Sequence, residues 1–215
     1  MKKHLLTYLL LAGLAVSVAA LAIQLRGYSF PGNQEGYMPT QPIAFSHKVH
    51  AGDLGMNCLY CHYSAKSGRH AGVPPASLCM NCHRLVTAST AVTRAEAETA
   101  RQEGRPPRRI VSEELQKLYD ALALNDEWQR DPAKEPQPIP WVKVHNLPDY
   151  TRFDHRAHVN AKVACQECHG PVETMEVIRQ SADLSMGWCV KCHRDHKDVK
   201  GQRVSPSTDC ATCHY

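Results

Sequence analysis

Ten cysteines and thirteen histidines stand out in a chain of 215 residues. The cysteines form five pairs, and each pair runs directly into a histidine. They read Cys58-Leu-Tyr-Cys61-His62, Cys79-Met-Asn-Cys82-His83, Cys165-Gln-Glu-Cys168-His169, Cys189-Val-Lys-Cys192-His193 and Cys210-Ala-Thr-Cys213-His214. Two thiols three positions apart in a helical turn lie on one face. Both can form thioethers to the vinyl groups of a porphyrin, and a histidine one step further sits beneath the iron as its proximal ligand. Cys-x-x-Cys-His is the attachment signature of haem c. Disulfides, zinc sites and thioredoxin-like motifs also pair cysteines, but none needs histidine after the second. Five such coincidences by chance are on the order of one in a million, given how rare histidine is. The spacing therefore predicts five covalently attached haem c groups, with His62, His83, His169, His193 and His214 on their irons.

Eight histidines remain: His4, His47, His50, His70, His145, His155, His158 and His196. His4 belongs to the edge of an N-terminal apolar segment and cannot reach haems outside a membrane. Seven candidates are left for five irons. That surplus predicts irons filled on both faces, which argues against a nitrite or tetrathionate reductase, since such enzymes need an open iron position. Phe45-Ser-His47-Lys-Val-His50 precedes the first motif, and Phe153-Asp-His155-Arg-Ala-His158 precedes the third. Histidines three apart project from one side of a turn, so they cannot sit on opposite faces of one iron. Each must serve a different haem, and the pair stitches two haems together. Surface histidines on a polar turn are the plainer alternative, but the unit recurs at a similar distance from a haem motif. The fifth distal ligand is left open among Met175, Met186, His145, His70 and His196. A thioether ligand would raise that haem's potential, whereas packing against porphyrin is the commoner role of Met.

These residues must be carried by something. Hydrophobic residues make up 43% of the chain, which excludes wholesale disorder, yet only 7% are aromatic. With roughly 40 residues per haem, the apolar bulk has to be porphyrin. The expected fold is mostly irregular and α-helical, with short haem-binding helices. Net charge is +4, too mild for nucleic-acid binding, and haem propionates would shift the loaded protein toward neutral or acidic.

Lys2 and Lys3 precede an uncharged stretch from Leu5 to Leu25, closed by Arg26. At about 1.5 Å per residue this covers roughly the hydrocarbon thickness of a bilayer. The lysines predict a cytoplasmic N-terminus, with everything beyond Arg26 on the extracytoplasmic side of a bacterial cytoplasmic membrane. A cleaved signal peptide is the alternative, and Ala20-Leu21-Ala22 resembles a cleavage site. The apolar run is longer than the roughly 7–15 residues of a signal core.

The motifs divide the chain into an anchor (1–26), a dihaem module (27–90), an insertion (91–145) and a trihaem module (146–215). The two modules read as a duplication, the second copy extended. Within the insertion, Thr93 to Gln102 is a polar helical pattern ended by Gly104. Arg105, Arg108 and Arg109 are candidates to pair with propionates or to face solvent. Ser112 predicts a helix cap, with Leu115, Leu118, Tyr119 and Leu122 as the apolar stripe and Asn125 as its end. Pro132 to Pro140 form an extended strap leading to Trp141. This insertion is expected to dock a partner, cover haem edges, or serve as a solvated linker.

The Phe-x-His-x-x-His unit followed by Cys-x-x-Cys-His resembles the cytochrome c3 and c7 class of multihaem cytochromes. That resemblance implies that His47 serves the haem of Cys58 and Cys61, and His155 that of Cys165 and Cys168. His50 and His158 would each reach another haem. The whole arrangement is similar to the pentahaem subunit of alternative complex III. The shared stretches are Ala71-Gly-Val-Pro-Pro75, Cys79-Met-Asn-Cys82-His83, Trp141-Val-Lys-Val-His-Asn-Leu-Pro-Asp149 and Ser185-Met-Gly-Trp-Cys189. The resemblance implies a membrane quinol oxidoreductase. Its other parts would be an iron–sulfur subunit, polytopic quinol-binding subunits and a monohaem cytochrome, with a soluble periplasmic acceptor. It also favours Met175 or Met186 as the fifth distal ligand; segment 93–110 fits the pattern least. A single anchor helix cannot enclose a quinone, so the chain is expected to carry electrons rather than be the catalytic centre. The competing expectation is an anchored quinol dehydrogenase subunit that feeds a periplasmic multihaem reductase.

Overall fold

A computed structural model describes residues 2–25, 34–195, 198–199 and 201–215. Arg26 and His196 lie outside the described residues. The chain begins with α1 (Lys2–Leu25). Its stretch His4–Gln24 is long and apolar enough to cross a membrane, and none of it is buried against the rest of the chain. The leucines exposed along it, such as Leu5, Leu9 and Leu14, have no protein core to enter.

The remainder is built from short helices joined by irregular chain, as expected of a fold with little room for a side-chain core. The motif helices are α2 (Cys58–Cys61), α3 (Ala76–His83), α7 (Gln166–His169), α8 (Met186–Asp195) and α9 (Cys210–Cys213). Polar caps set several of them. Asn57 accepts from Leu59 N at 2.9 Å, Ser185 Oγ from Trp188 N at 3.2 Å, and Asp209 from Ala211 N at 3.0 Å. Such a cap satisfies a free N–H at the start of a turn, which lets a turn only four residues long hold its shape.

The insertion supplies α4 (Thr90–Gln102) and α5 (Glu113–Ala121). The α4 helix starts earlier than the sequence pattern indicates, because Ser89 caps it by accepting from Val92 N. In α5, Ser112 is the cap, accepting from Leu115 N at 3.3 Å. Leu118 and Tyr119 are buried and pack against Met80 of α3. The helix ends at Ala121, before Asn125. Asn125 instead organises the next turn, its side chain accepting from Glu127 N and Gln129 N.

Three contacts show that the insertion is more than a linker. The Tyr119 hydroxyl donates to His83 O at 2.7 Å. Glu114 accepts from Ala44 N at 2.6 Å, next to Phe45. Gln41 makes a two-bond clamp with the backbone of Val142. The arginines are engaged within the insertion. Arg105 pairs with Glu96 and Glu103, each at 2.5 Å, and Arg109 lies over the Trp128 ring at 4.5 Å.

Residues 146–215 add α6 (His155–Asn160), capped by Asp154, and a ribbon of two-residue strands, β1 (Asp198–Val199) and β2 (Gln202–Arg203). The ribbon is antiparallel, with Asp198 opposite Arg203.

Candidate haem sites

The two Phe-x-His-x-x-His units adopt the same local geometry. Phe45 stacks on His50 at 4.3 Å and meets His47 edge-on at 4.9 Å. Phe153 stacks on His158 at 4.6 Å and meets His155 edge-on at 4.8 Å. Each phenylalanine thus wedges two imidazoles apart and fixes their planes. The histidines follow one another on a tight coil: a π-helical turn, Lys48–Asp53, in the first copy and α6 in the second.

Each of these four histidines faces a histidine of a motif. His47 lies opposite His62 with ring centres 6.5 Å apart and planes within 9°. His155 lies opposite His169 at 6.3 Å and 11°. His50 faces His83 at 6.1 Å, and His158 faces His193 at 6.0 Å. Two imidazoles on opposite sides of one metal ion, with bonds of about 2 Å, place their ring centres roughly 6 Å apart. The spacing fits one iron between each pair.

The outer ring nitrogens are tied back to the chain. Nδ1 of His62 bonds Gly72 O at 2.7 Å, that of His83 bonds Val86 O at 2.8 Å, and that of His193 bonds Ser207 O at 2.6 Å. On the facing side, His50 bonds Ser46 O, His155 bonds Arg69 O, and His158 bonds Asp154 O, all within 2.9 Å. A donor bond at Nδ1 fixes the tautomer and leaves Nε2 for a metal. His169 differs, because its Nδ1 lies 3.1 Å from Nε2 of His145.

Burial moves a few of these groups toward their neutral forms. Burial, then His62 and His50, holds His47 down at about 4. Burial, then His145 and His155, does the same for His169, also at about 4. Neutral imidazole has the lone pair that a metal requires. Burial, then the thiols of Cys192 and Cys189, pushes Cys168 up to about 11.

Among the described residues, none of the ten cysteines is joined in a disulfide. Among the described residues, no three His, Cys, Asp or Glu side chains converge as a bare ion would need. Among the described residues, the buried side-chain atoms His47 Nδ1 and Ser181 Oγ have no hydrogen-bond partner. Ser181 lines a cleft of about 320 Å³ with Cys168, Gly170 and Trp188. Gly170 sits at φ +70°, and a Cβ there would lie 2.5 Å from Ser181 Oγ, so the position suits only glycine. Thiols paired by spacing, facing imidazoles and a cleft at the third motif fit haem c better than a bare ion.

The two modules interlock. The turn Lys48–Asp53 packs on the short 3₁₀ turn Val172–Thr174, which follows the third motif. Reciprocally, α6 packs on the 3₁₀ turn Tyr63–Lys66, which follows the first. Lys48 N donates to Met175 O, and His155 N donates to Arg69 O. The Arg69 side chain reaches Phe153 O at 3.0 Å and the Tyr215 hydroxyl at 2.6 Å. The first and third motifs are therefore back to back across this junction. Asn81 donates to Tyr60 OH between the second and first motifs. Cys168 neighbours Cys189 and Cys192, and Cys189 neighbours Cys213. In space the motifs run second, first, third, fourth, fifth.

The fifth motif is different. The His214 ring stacks with Tyr150 at 5.8 Å. Of the candidates for its other face, His145 is engaged with His169. Met175 is buried beside Gly170, Met186 is exposed at the start of α8, and His70 is exposed next to Arg69.

Comparison with known proteins points the same way. Residues 151–215 match the family "Cytochrome c7 and related cytochrome c". Over that matched segment the fold is of the c7-like multihaem kind. The chain is also 31% identical over 175 residues to the multihaem cytochrome c subunit of a menaquinone reductase from Nitratidesulfovibrio vulgaris strain Hildenborough. The match covers 81% of this chain and 57% of that relative's length.

Several residues that shape these sites carry no motif in the sequence. Arg69 and Gln180 belong to no motif. Gln180 is fully buried, accepts from Asn146 N and donates to Ala182 O. The carbonyls of Gly72, Val86 and Ser207 carry no side-chain signature at all. Only the glycine and proline turns around Gly72 hinted that the chain doubles back there.

Proposed function

We propose that this chain binds five haem c groups and relays electrons within a membrane quinol oxidoreductase of the alternative complex III type. The observation that carries the reading is the row of four facing imidazole pairs in one interlocked unit. Haem c, once bound, supplies one-electron redox chemistry at an iron held on both sides. The chain's residues do the rest. Cys58, Cys61, Cys79, Cys82, Cys165, Cys168, Cys189, Cys192, Cys210 and Cys213 form the thioether links. His62, His83, His169, His193 and His214 bind one face of iron, and His47, His50, His155 and His158 the other at the first four motifs. Met175 and Met186 stand as candidates for the fifth. Occupied coordination favours transfer without substrate binding.

In this reading α1 is the anchor in the bacterial cytoplasmic membrane, and the lysines before it support a periplasmic side for the motifs. Partners of this reading are an iron–sulfur subunit, polytopic quinol-binding subunits, a monohaem cytochrome and a soluble acceptor. A second reading is favoured by the relative's name: the same relay, in a menaquinone reductase, with electrons delivered toward the quinone. Partners and potentials, rather than the ligand set, decide between them. The test is purification of the native complex from membranes, with subunits identified by mass spectrometry and haem reduction followed after adding quinol. Copurification with a polytopic subunit and quinol-dependent haem reduction are expected. A stable lone chain that quinol reduces unaided would overturn the reading.

A further inference from the structure

The motif histidines of the first, second and fourth sites donate from Nδ1 to peptide carbonyls. His169 alone among these four pairs meets a side chain, and that side chain is another imidazole. The two rings cross at 76° with centres 4.3 Å apart, and the Nδ1 to Nε2 distance is 3.1 Å. With Nε2 of His169 turned toward His155 and an iron, its Nδ1 must carry the proton and His145 must accept it.

The contact is built into the fold. Val144 is buried beside it. The next residue, Asn146, donates its backbone N–H to Oε1 of Gln180, a fully buried side chain. The Gln180 backbone is in turn bonded on both sides to the chain at Gly36 and Tyr37. An imidazole nitrogen is a more basic acceptor than a peptide oxygen. A stronger acceptor at Nδ1 gives the metal-bound ring more imidazolate character, and the more basic ligand favours ferric over ferrous iron.

We propose that His145 is a positioning residue that lowers the reduction potential of the haem held by Cys165, Cys168 and His169, by drawing on the His169 Nδ1 proton. The third motif lies, with the first, at the junction between the two copies, so the tuned site sits where they meet. The assignment excludes His145 from service as the fifth distal ligand. It rests on the haem c reading of the third motif.

The test is an EPR-monitored redox titration of the full-length, haem-loaded chain and its variants. The third-motif signal is identified as the low-spin signal that His155→Ala converts to high spin. In His145→Phe that haem is expected to titrate at a higher potential, with its largest g-value raised and the other signals unmoved. His145→Gln restores a weaker acceptor and should fall between the two. An unchanged potential and g-value in both variants overturns the role of His145. So does an equal shift in both, which would mark mere loss of packing. If His145→Phe does not accumulate with haem, wild type against His145→Gln decides, and no difference overturns the proposal. A chain carrying no haem at the third motif would instead overturn the haem c reading itself.

Discussion

Single side chains here hold facing imidazole rings in register. Phe45 and Phe153 separate two imidazoles each, and backbone carbonyls lock the outer nitrogens. Replacing His50 by Ala leaves the iron opposite His83 with one protein ligand. The expected result is one new carbon-monoxide-binding haem per chain, seen in the CO difference spectrum, with the remaining haems unchanged. No new CO binding would mean that His50 does not face that iron. At this scale the sequence was informative where chemistry needs a particular side chain. Cysteine, histidine and phenylalanine at fixed spacing announce themselves. Arg69 does not, because its backbone carbonyl holds His155 and any residue has a carbonyl. His145 was visible as a spare ligand, but its engagement with His169 depends on chain packing that spacing does not encode.

At the scale of elements, residues 91–145 bring Leu118 and Tyr119 to a side-chain core shared with Met80. Leu118→Ala removes a buried side chain between α5 and α3 and should cost about 2–5 kcal/mol, read as a lower midpoint in denaturant unfolding of the loaded chain. The clip between α4 and Arg105 answers to pH. The Arg105 side chain, then the Arg108 backbone N–H, draws Glu96 from 4.5 down to about 2. A lowered carboxyl stabilises the fold above its unfolded value, and that contribution drains away as pH falls from 4.5 through about 2. The Glu96→Gln variant should therefore lose less stability than wild type across that window, as measured by acid unfolding. Equal acid slopes would contradict the clip. The helix of Ser112 was legible because its cap and apolar stripe are local. The start of α4 at Thr90 and the end of α5 at Ala121 were less so, since alternative caps one turn away compete on equal terms. The inward pairing of Arg105 and Arg109 was invisible, because their partners are set by the loop connecting α4 to α5.

Across the whole molecule, the two copies of the Phe-x-His-x-x-His unit were readable in the sequence, but their reciprocal packing was not. Each ligand turn rests on the segment behind the other copy's motif, so the order in space departs from the order in the chain. The anchor is separable from that arrangement. Deleting residues 1–26 while supplying a cleavable export signal should release a soluble periplasmic chain with an unchanged haem spectrum, checked by membrane fractionation. Retention in membranes at the wild-type level would show that partners, not α1, hold it there. The central claim is that the chain is a conductor whose first four irons are closed on both faces by its own histidines. The measurement that meets it most directly combines the intact mass of the purified full chain with its EPR and CO-binding spectra. The account predicts five thioether-linked haems, low-spin signals from the first four motifs, and CO binding by no more than one iron. Fewer than five haems, or ready CO binding by most of them, would contradict it.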